Sequence, residues 1–519
     1  MRPPTWQPPV ALSPQETRIV RRIRRAKLFV WLREHRHDVF DAAFQAELAG
    51  LYKESAHGQP PIPPAQLALA LILQAYTGVS DDAVIEATQM DRRWQLVLDC
   101  LDREDAPFSK GTLVAFRQAL IAQELDRRLI ERTVTLAQQQ HGPSPRHLRV
   151  SLDSSPLWGA SRVEDTYNLL GHALRKALGV IARQQGRGLA ALAAEAGASL
   201  VTSSSLKAAL DLAWDDPTAQ AAALTAVLTA LDTLEARTNS QSPAAPLALA
   251  EPLATAHQVV AQDVVLPAGT PPALRRGVAP ARRISIEDGE MRHGRKSRSL
   301  LVDGDKRHVL HDLDVPVVRA VGVTPANVPE ATVTDSIAPD LARQDGVLAE
   351  LPIDRAYLSS TLVRERTPDV TIYCKAWPVR QGPHFAKTAF VLDWPAQTLT
   401  CPNAISLAFI PGGTVHFPSA TCASCPLRER CTSSKQGRSV SIHPDERLLQ
   451  ELRERQQTPQ GRASLRERVA VEHTLAHVGR WQGRRARYRG TRNTLFDLRR
   501  CAVVHNRHVI ARLPRPDAG

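Results

Sequence analysis

A glutamate on the apolar face of a helix constrains this chain more than any other feature. The run Ser464 to Val478 (SLRERVAVEHTLAHV) has a helical pattern, and on that period Leu465, Val469, Ala476 and Gly479 share one face. Glu472 sits in the middle of the face, with Arg468 one turn before it. A lone carboxylate there costs several kcal/mol in order of magnitude unless positive charge meets it. Two partners are open: Arg468, as an i, i+4 ion pair, or a divalent metal. The metal needs further carboxylates from elsewhere in the chain.

The same region is dense in arginine. Between Gly461 and Arg512 there are thirteen arginines and no lysine against Glu467, Glu472 and Asp497, in a 519-residue chain whose net charge is +13. Such a surplus favours a polyanionic partner, and the planar arginine fork suits phosphate better than a lysine point charge does. Nucleic acid is the expected partner. Arg468, Arg480, Arg484, Arg485, Arg487, Arg489 and Arg492 are the candidate contacts. Trp481 and Tyr488, interleaved among them, either stack on splayed bases or pack in the core.

Composition excludes some classes. With 43% hydrophobic and 23% charged residues the chain reads as globular, and its length suggests about three domains. No apolar run approaches a membrane span, and the opening MRPPTWQPPVALSPQ lacks a signal-peptide core. A cytoplasmic protein with no membrane partner is expected.

Taken in order, residues 1–142 read as a helical, DNA-binding-type domain. Ala65 to Tyr76, the break at Gly78 and the N-cap Ser80 before Asp81 to Thr88 outline either a helix-turn-helix or a plain helical hairpin. Gly142 to Pro145 (GPSP) looks like a boundary. His147 to Leu152 alternates as a strand ending on Asp153, and Pro352-Ile353-Asp354 ends another strand on a second carboxylate. Carboxylates at strand tips suit a site at a sheet edge. Residues 146–166 and 283–400 form the first parts of an α/β core, interrupted at 167–282 by an alanine-rich helical insertion and linker. Arg298 to Asp312 and Val315 to Val323 read as paired antiparallel strands, Thr334 to Leu351 as a helix, and Asp369 to Cys374 as a strand. Residues 446–519 complete the core with the glutamate helix and its arginine-rich sequel. Asp303, Asp305, Asp312 and Asp335 compete as site acids, but turn and capping roles explain them.

Residues 401–445 carry four of the seven cysteines, Cys401, Cys422, Cys425 and Cys431. The tight Cys422-Ala-Ser-Cys425 pair can grip one metal with both thiolates, and a cytoplasmic setting argues against disulfides. A structural tetrahedral zinc leads; exchange of one ligand for His416, an iron–sulfur cluster, or free buried thiols remain open.

With these acids in hand, the chain resembles the DDE transposases of bacterial insertion sequences. GVSDDAVIEATQMDRRW (78–94) and TLVAFRQAL (112–120) look like that family's helical N-terminal domain. RVSLDSSPL (149–157) is similar to its first-aspartate strand, and VTPANVPEATVTD (323–335) with IDRAYLSS (353–360) to the approach to the second. CASCPLRERC (422–431) resembles a cysteine segment of one subgroup, and RERVAVEHTLAHVGRWQGRRARYRG (466–490) the glutamate helix. Where many relatives carry tyrosine and lysine on that helix, this chain has Leu465 and Gly479; Arg480 or Arg484 could replace the lysine.

The resemblance implies a ribonuclease-H-like mixed sheet with Asp153, Asp354 and Glu472 as the catalytic, metal-binding trio. Hard cations prefer carboxylate oxygens, so two Mg²⁺ (or Mn²⁺) ions suit these acids, with Asp153 shared between them. The implied activity is cutting and joining of the element's DNA ends. The implied partners are double-stranded DNA, as terminal inverted repeats and as target, and a second copy of the chain. The competing readings are an inactive DNA-binding protein (a decayed transposase or zinc-bearing regulator) and a stand-alone nuclease.

Overall fold

Six strands, five of them principal, build the central sheet of the computed structural model, which describes residues 2–53, 60–141, 147–241, 247–344, 346–379 and 381–513. The five are β1 (His147–Trp158), β2 (Leu301–Asp312), β3 (Val318–Pro325), β4 (Val347–Pro352) and β5 (Thr371–Tyr373). Their order across the sheet is β3-β2-β1-β4-β5. β2 is antiparallel to β1 and β3, whereas β4 runs parallel to β1 and β5 parallel to β4. A short strand, Arg292–Arg295, pairs with the start of β2.

Strand alternation sends side chains to two separate cores. Leu148, Val150, Leu152, Leu310 and Ala320 meet the helices Thr334–Ala342 and Glu446–Arg455 through Ile337, Leu341, Leu448 and Leu452. Val309 and Val321 face the other way, onto Val471, Leu475 and Val478 of the helix Val469–Gln482 and Phe496 and Val503 of the C-terminal helix Thr491–Ile510. The sheet is therefore covered on both faces.

The second of these cores continues, among the described residues, into eight helices between Pro14 and His141. Their hub is Pro64–Thr77, buried at every position from Pro64 to Ala75. A helix apolar all round has to sit centrally. It starts on a proline in its first turn and ends at Gly78, whose φ of 76° is a left-handed cap. Arg500 of the C-terminal helix donates to Gln74 Oε1 at 2.7 Å, so the two ends of the chain share one interior. The next helix, Asp81–Met90, crosses the hub at 104°, a helix-turn-helix angle. Its acidic first turn is engaged within the protein: Asp81 takes both Arg117 nitrogens at 2.7 and 2.9 Å, and Asp82 takes Lys110 at 2.8 Å. The expected boundary at Gly142 to Pro145 lies outside the described residues.

The insertion and the cysteine segment each have a core of their own. Leu170, Leu174, Leu178, Leu224, Leu231 and Val259 pack the insertion helices together. Phe390, Leu399, Phe409, Phe417 and Val440 gather the short hairpins around the cysteines. Among the described residues no single helix is long and apolar enough to cross a membrane.

Two local expectations fail for one reason. The helix expected to run from Thr334 to Leu351 stops at Ala342, and Val347–Pro352 is strand β4. VLAELP has fair helix propensity, but sheet pairing to β1 and the Arg149–Glu350 ion pair at 2.9 Å hold it extended. β1 likewise continues through Asp153 to Trp158, because β2 pairs with it over Val150 to Trp158.

Candidate active site

Asp153 thus lies mid-strand rather than at a strand tip, yet it still marks an edge. β4 pairs with β1 over His147 to Arg149, and an isolated bridge joins Leu152 to Ile353 before the strands part. The residues next after that bridge are Asp153 and Asp354, so the divergence of two parallel strands sets the two aspartates side by side. Asp354 is exposed and caps the turn Arg355–Tyr357, its Oδ1 accepting from the Arg355 amide at 2.6 Å. Asp153 is 7% exposed and accepts from the Ser154 amide at 2.7 Å.

Glu472 arrives from the other layer. The expected continuous helix is broken at Arg468 into Pro459–Glu467 and Val469–Gln482. Its buried face is also different: Val471, Thr474, Leu475 and Val478 point inward, while Val469, Ala476 and Glu472 point outward. Glu472 therefore stands in solvent, 48% exposed, and the desolvation first inferred for it is absent. Arg468 joins the two layers, donating to Asp153 Oδ2 at 2.7 Å and to Glu472 Oε1 at 2.6 Å. Burial pushes the Asp153 carboxyl above the usual range, against the Ser154 amide, Arg468 and Lys296, with Asp354 adding to the push.

Lys296 and Tyr357, neither singled out from sequence, buttress this centre. Lys296 Nζ donates to Ser154 Oγ at 2.8 Å and to Glu330 Oε1 at 3.2 Å. Tyr357 is fully buried, its hydroxyl 2.8 Å from His308 Nδ1, and His308 Nε2 is 2.9 Å from Thr324 Oγ1. Burial holds His308 well below its ordinary range, so the ring is neutral and can serve as acceptor at one nitrogen and donor at the other. The turn bearing Asp354 is thereby tied to β2 and β3.

Imidazoles seat the glutamate helix. His311 Nδ1 is 3.1 Å from Thr474 Oγ1, and His477 Nδ1 is 2.7 Å from His505 Nδ1 on the C-terminal helix. His508 stacks on Trp481 with ring centroids 5.2 Å apart, which assigns Trp481 to packing.

The arginine segment is pinned to the strand that carries Asp153. The Trp158 amide donates to Arg484 O at 2.9 Å and the Ala486 amide to Trp158 O at 2.7 Å. Trp158 lies five residues beyond Asp153, ~17 Å along the strand. Arg480, Arg484, Arg485, Arg487 and Arg489 are exposed there. Tyr488 and Arg492 turn inward instead. The Tyr488 hydroxyl accepts from Arg117 and Arg500 at 3.3 and 3.1 Å, and Arg492 donates to both Asp126 oxygens at 2.9 and 2.5 Å. Beside Gly479, an added Cβ would lie 3.1 Å from Arg307, which reaches over from β2 to Ser155 Oγ at 2.7 Å and Gln482 Oε1 at 3.1 Å. A cation from the sheet thus stands beside the glycine face of this helix.

The competing acids have other partners. Asp312 pairs with Arg319 at 2.7 Å and caps the turn after β2, and Asp303 bonds His293 at 2.6 Å. Asp335 lies in the first turn of its helix. Asp305 is buried, its carboxyl pushed up to about 7 by burial and by Asp288 and Glu290.

All four clustered cysteines are free thiols lining one cavity of about 30 Å³ beside Phe385, Phe390 and Phe417. Burial, with the three other thiols nearby, pushes the Cys431 thiol up. Among the described residues no three His, Cys, Asp or Glu side chains converge as a metal site, at the cysteines or at the carboxylates.

The fold and this site define a mixed α/β protein whose three acids come from β1, the turn after β4 and a covering helix, with an arginine segment pinned to Trp158 of β1. Residues 411–511 match the model of a transposase DDE domain, and residues 20–119 that of a second transposase domain. Both matches are to transposase domains, which indicates an insertion-sequence DDE transposase. The first match includes Glu472; Asp153 and Asp354 fall outside both. No curated protein and no solved structure matches the chain.

Proposed function

We propose that the protein cuts and joins insertion-sequence DNA ends, with the five strands as a ribonuclease-H-like core and Asp153, Asp354 and Glu472 as its acids. The observation that carries this reading is the Leu152–Ile353 bridge, which sets two aspartates side by side at the point where Arg468 brings in Glu472. An all-oxygen donor set of this kind suits hard divalent cations, and these three residues would hold a pair of Mg²⁺ or Mn²⁺ ions. Bound there, such ions activate the nucleophile and neutralise charge on the phosphoryl and leaving oxygens.

The chain's own groups do the rest. Arg468 competes with a cation for the Asp153 and Glu472 oxygens, and when released it is a free donor fork beside the scissile phosphate. The Ser154 amide fixes the rotamer of Asp153, Lys296 holds Ser154 through its hydroxyl, and Tyr357 fixes the Asp354 turn. The exposed arginines hold the duplex along β1. In the first step water adds to phosphorus and the bond to the 3′-oxygen breaks, leaving a 3′-hydroxyl. In the second that hydroxyl attacks a target phosphodiester and displaces the target's own 3′-oxygen. Two copies holding two ends, in the cytoplasm at the nucleoid, complete the proposal.

The test is metal-dependent nicking of duplexes carrying the element's own ends, with wild type beside Glu472→Gln. Nicking at the end that is lost in E472Q supports the reading. Binding without nicking in both proteins would replace it with an inactive DNA-binding protein, in which Glu472 serves only Arg468.

Cys401, Cys422, Cys425 and Cys431 would hold a structural zinc, since four thiols around one cavity suit a thiophilic, tetrahedral ion. About one zinc per chain is expected by elemental analysis, with a chelator lowering the melting temperature. A metal-free protein whose melting curve ignores chelator would return the four to ordinary buried thiols.

A further inference from the structure

The helical insertion carries a groove that the proposed chemistry does not use. It lies between the helices Thr166–Gln185 and Leu247–Asp263 and the segment Ser285–Glu287, with a volume of about 740 Å³. Arg162, Arg175, Lys176 and Arg183 line it. Arg162 and Arg183 are exposed and, among the described residues, their side chains form no ion pair or hydrogen bond, whereas Arg175 donates to Ser203 O at 3.2 Å. The acids on its wall are largely occupied: Glu164 accepts from the Ile286 amide at 3.0 Å and pairs with His172, and Glu287 gives one oxygen to Lys176 at 2.8 Å and the other to Arg489 at 2.6 Å. Glu251 remains.

Gly179 points to the occupant. It sits mid-helix, where glycine costs roughly 0.5–1 kcal/mol against alanine, yet a Cβ added there would meet nothing within 4 Å. No packing inside the protein calls for the missing side chain. Arg175, Gly179 and Arg183, at i, i+4 and i+8, share one helix face. The two arginines are ~12 Å apart along the axis, about the rise of three to four nucleotides. A backbone left bare between two cations suits close approach by a phosphate chain.

The groove is also continuous with the arginine segment, because Glu287 holds Lys176 and Arg489 together. We infer that this groove is a second seat for the phosphate backbone of the same duplex, extending the track that begins beside Asp153. The inference rests on the DNA-end reading of the site.

The test uses the full-length protein, a duplex carrying the element's end, and three variants: Gly179→Gln, Arg183→Ala and Arg162→Ala. Gly179→Gln should melt at or above the wild-type temperature while binding the duplex about three- to tenfold more weakly. The arginine variants should each weaken binding about equally on any sequence and reduce the slope of log affinity against log salt by about one. Nicking at saturating DNA should be unchanged, so that only KM moves. Wild-type affinity and salt slope in all three variants, beside a wild type that nicks, would overturn the groove and leave the site intact. A sharp fall in melting temperature for Gly179→Gln would show that packing requires the glycine and would overturn the argument from it. A wild type that neither binds nor nicks would fail the reading on which both rest.

Discussion

Asp153→Asn is expected to reduce end nicking by at least ~10³-fold, about 4 kcal/mol of transition-state stabilisation, with DNA affinity held within about twofold. The change is isosteric and leaves Arg468, Lys296 and the arginine track in place, so binding should survive. It removes the one acid placed to contact both neighbours: Asp354 beside it across the strand divergence and Glu472 through Arg468. The variant should also melt no lower than wild type in chelator. Burial already pushes the Asp153 carboxyl toward its neutral form, so a neutral amide relieves a desolvation penalty. A stable Asp153→Asn protein that nicks at the wild-type rate would remove Asp153 from the chemistry altogether.

The second large effect is on acid stability. Burial holds His311 to about 4, His505 to about 3 and His508 to about 4, below the ordinary histidine value of 6.5. His477 is lowered too, by burial and then by Arg480 and Arg512. A folded-state value below the unfolded one means that the unfolded chain takes up protons first. Stability is then full above pH ~6.5 and is lost as pH falls through 6.5 toward 4. Of these rings His311 and His505 are the more buried, and together they should cost several kcal/mol in order of magnitude by pH 4.5. That is a large part of the stability of an ordinary domain. Urea unfolding between pH 7.5 and 4.5 should show the loss, with a shallower pH dependence in His505→Gln. Identical slopes in the two proteins would assign acid sensitivity to other groups, such as the paired carboxylates. Because these rings join the glutamate helix to β2 and to the C-terminal helix, the same acidification should loosen Glu472 before the sheet itself opens.

The sequence by itself determined what each stretch could be. The punctuation around the hub helix, the alternation in β1 and β2, the alanine-rich insertion, the clustered thiols and the arginine surplus all depend on neighbours within a few residues. Caps, turns and periodicity are set at that range. The three acids proposed for the site were conspicuous too, although the features that singled them out, a strand tip at Asp153 and an apolar helix face at Glu472, are not what the fold provides.

Tertiary structure decided which way these groups face and what they meet. VLAELP became a strand because β1 was there to pair with it. Glu472 turned to solvent because the helix broke at Arg468 and buried Val471, Leu475 and Val478 instead. Tyr488 and Arg492 turned inward to partners on the N-terminal helices, while their neighbours stayed in solvent. Lys296, Arg307 and Tyr357 carry no local signal for their roles. The ion pair between Arg468 and Asp153 spans 315 residues of sequence. Contacts at such separations follow from how whole layers pack over one sheet, and local residue order does not encode them. The sequence names the acids and the cations, and the packing of the sheet decides which of them meet.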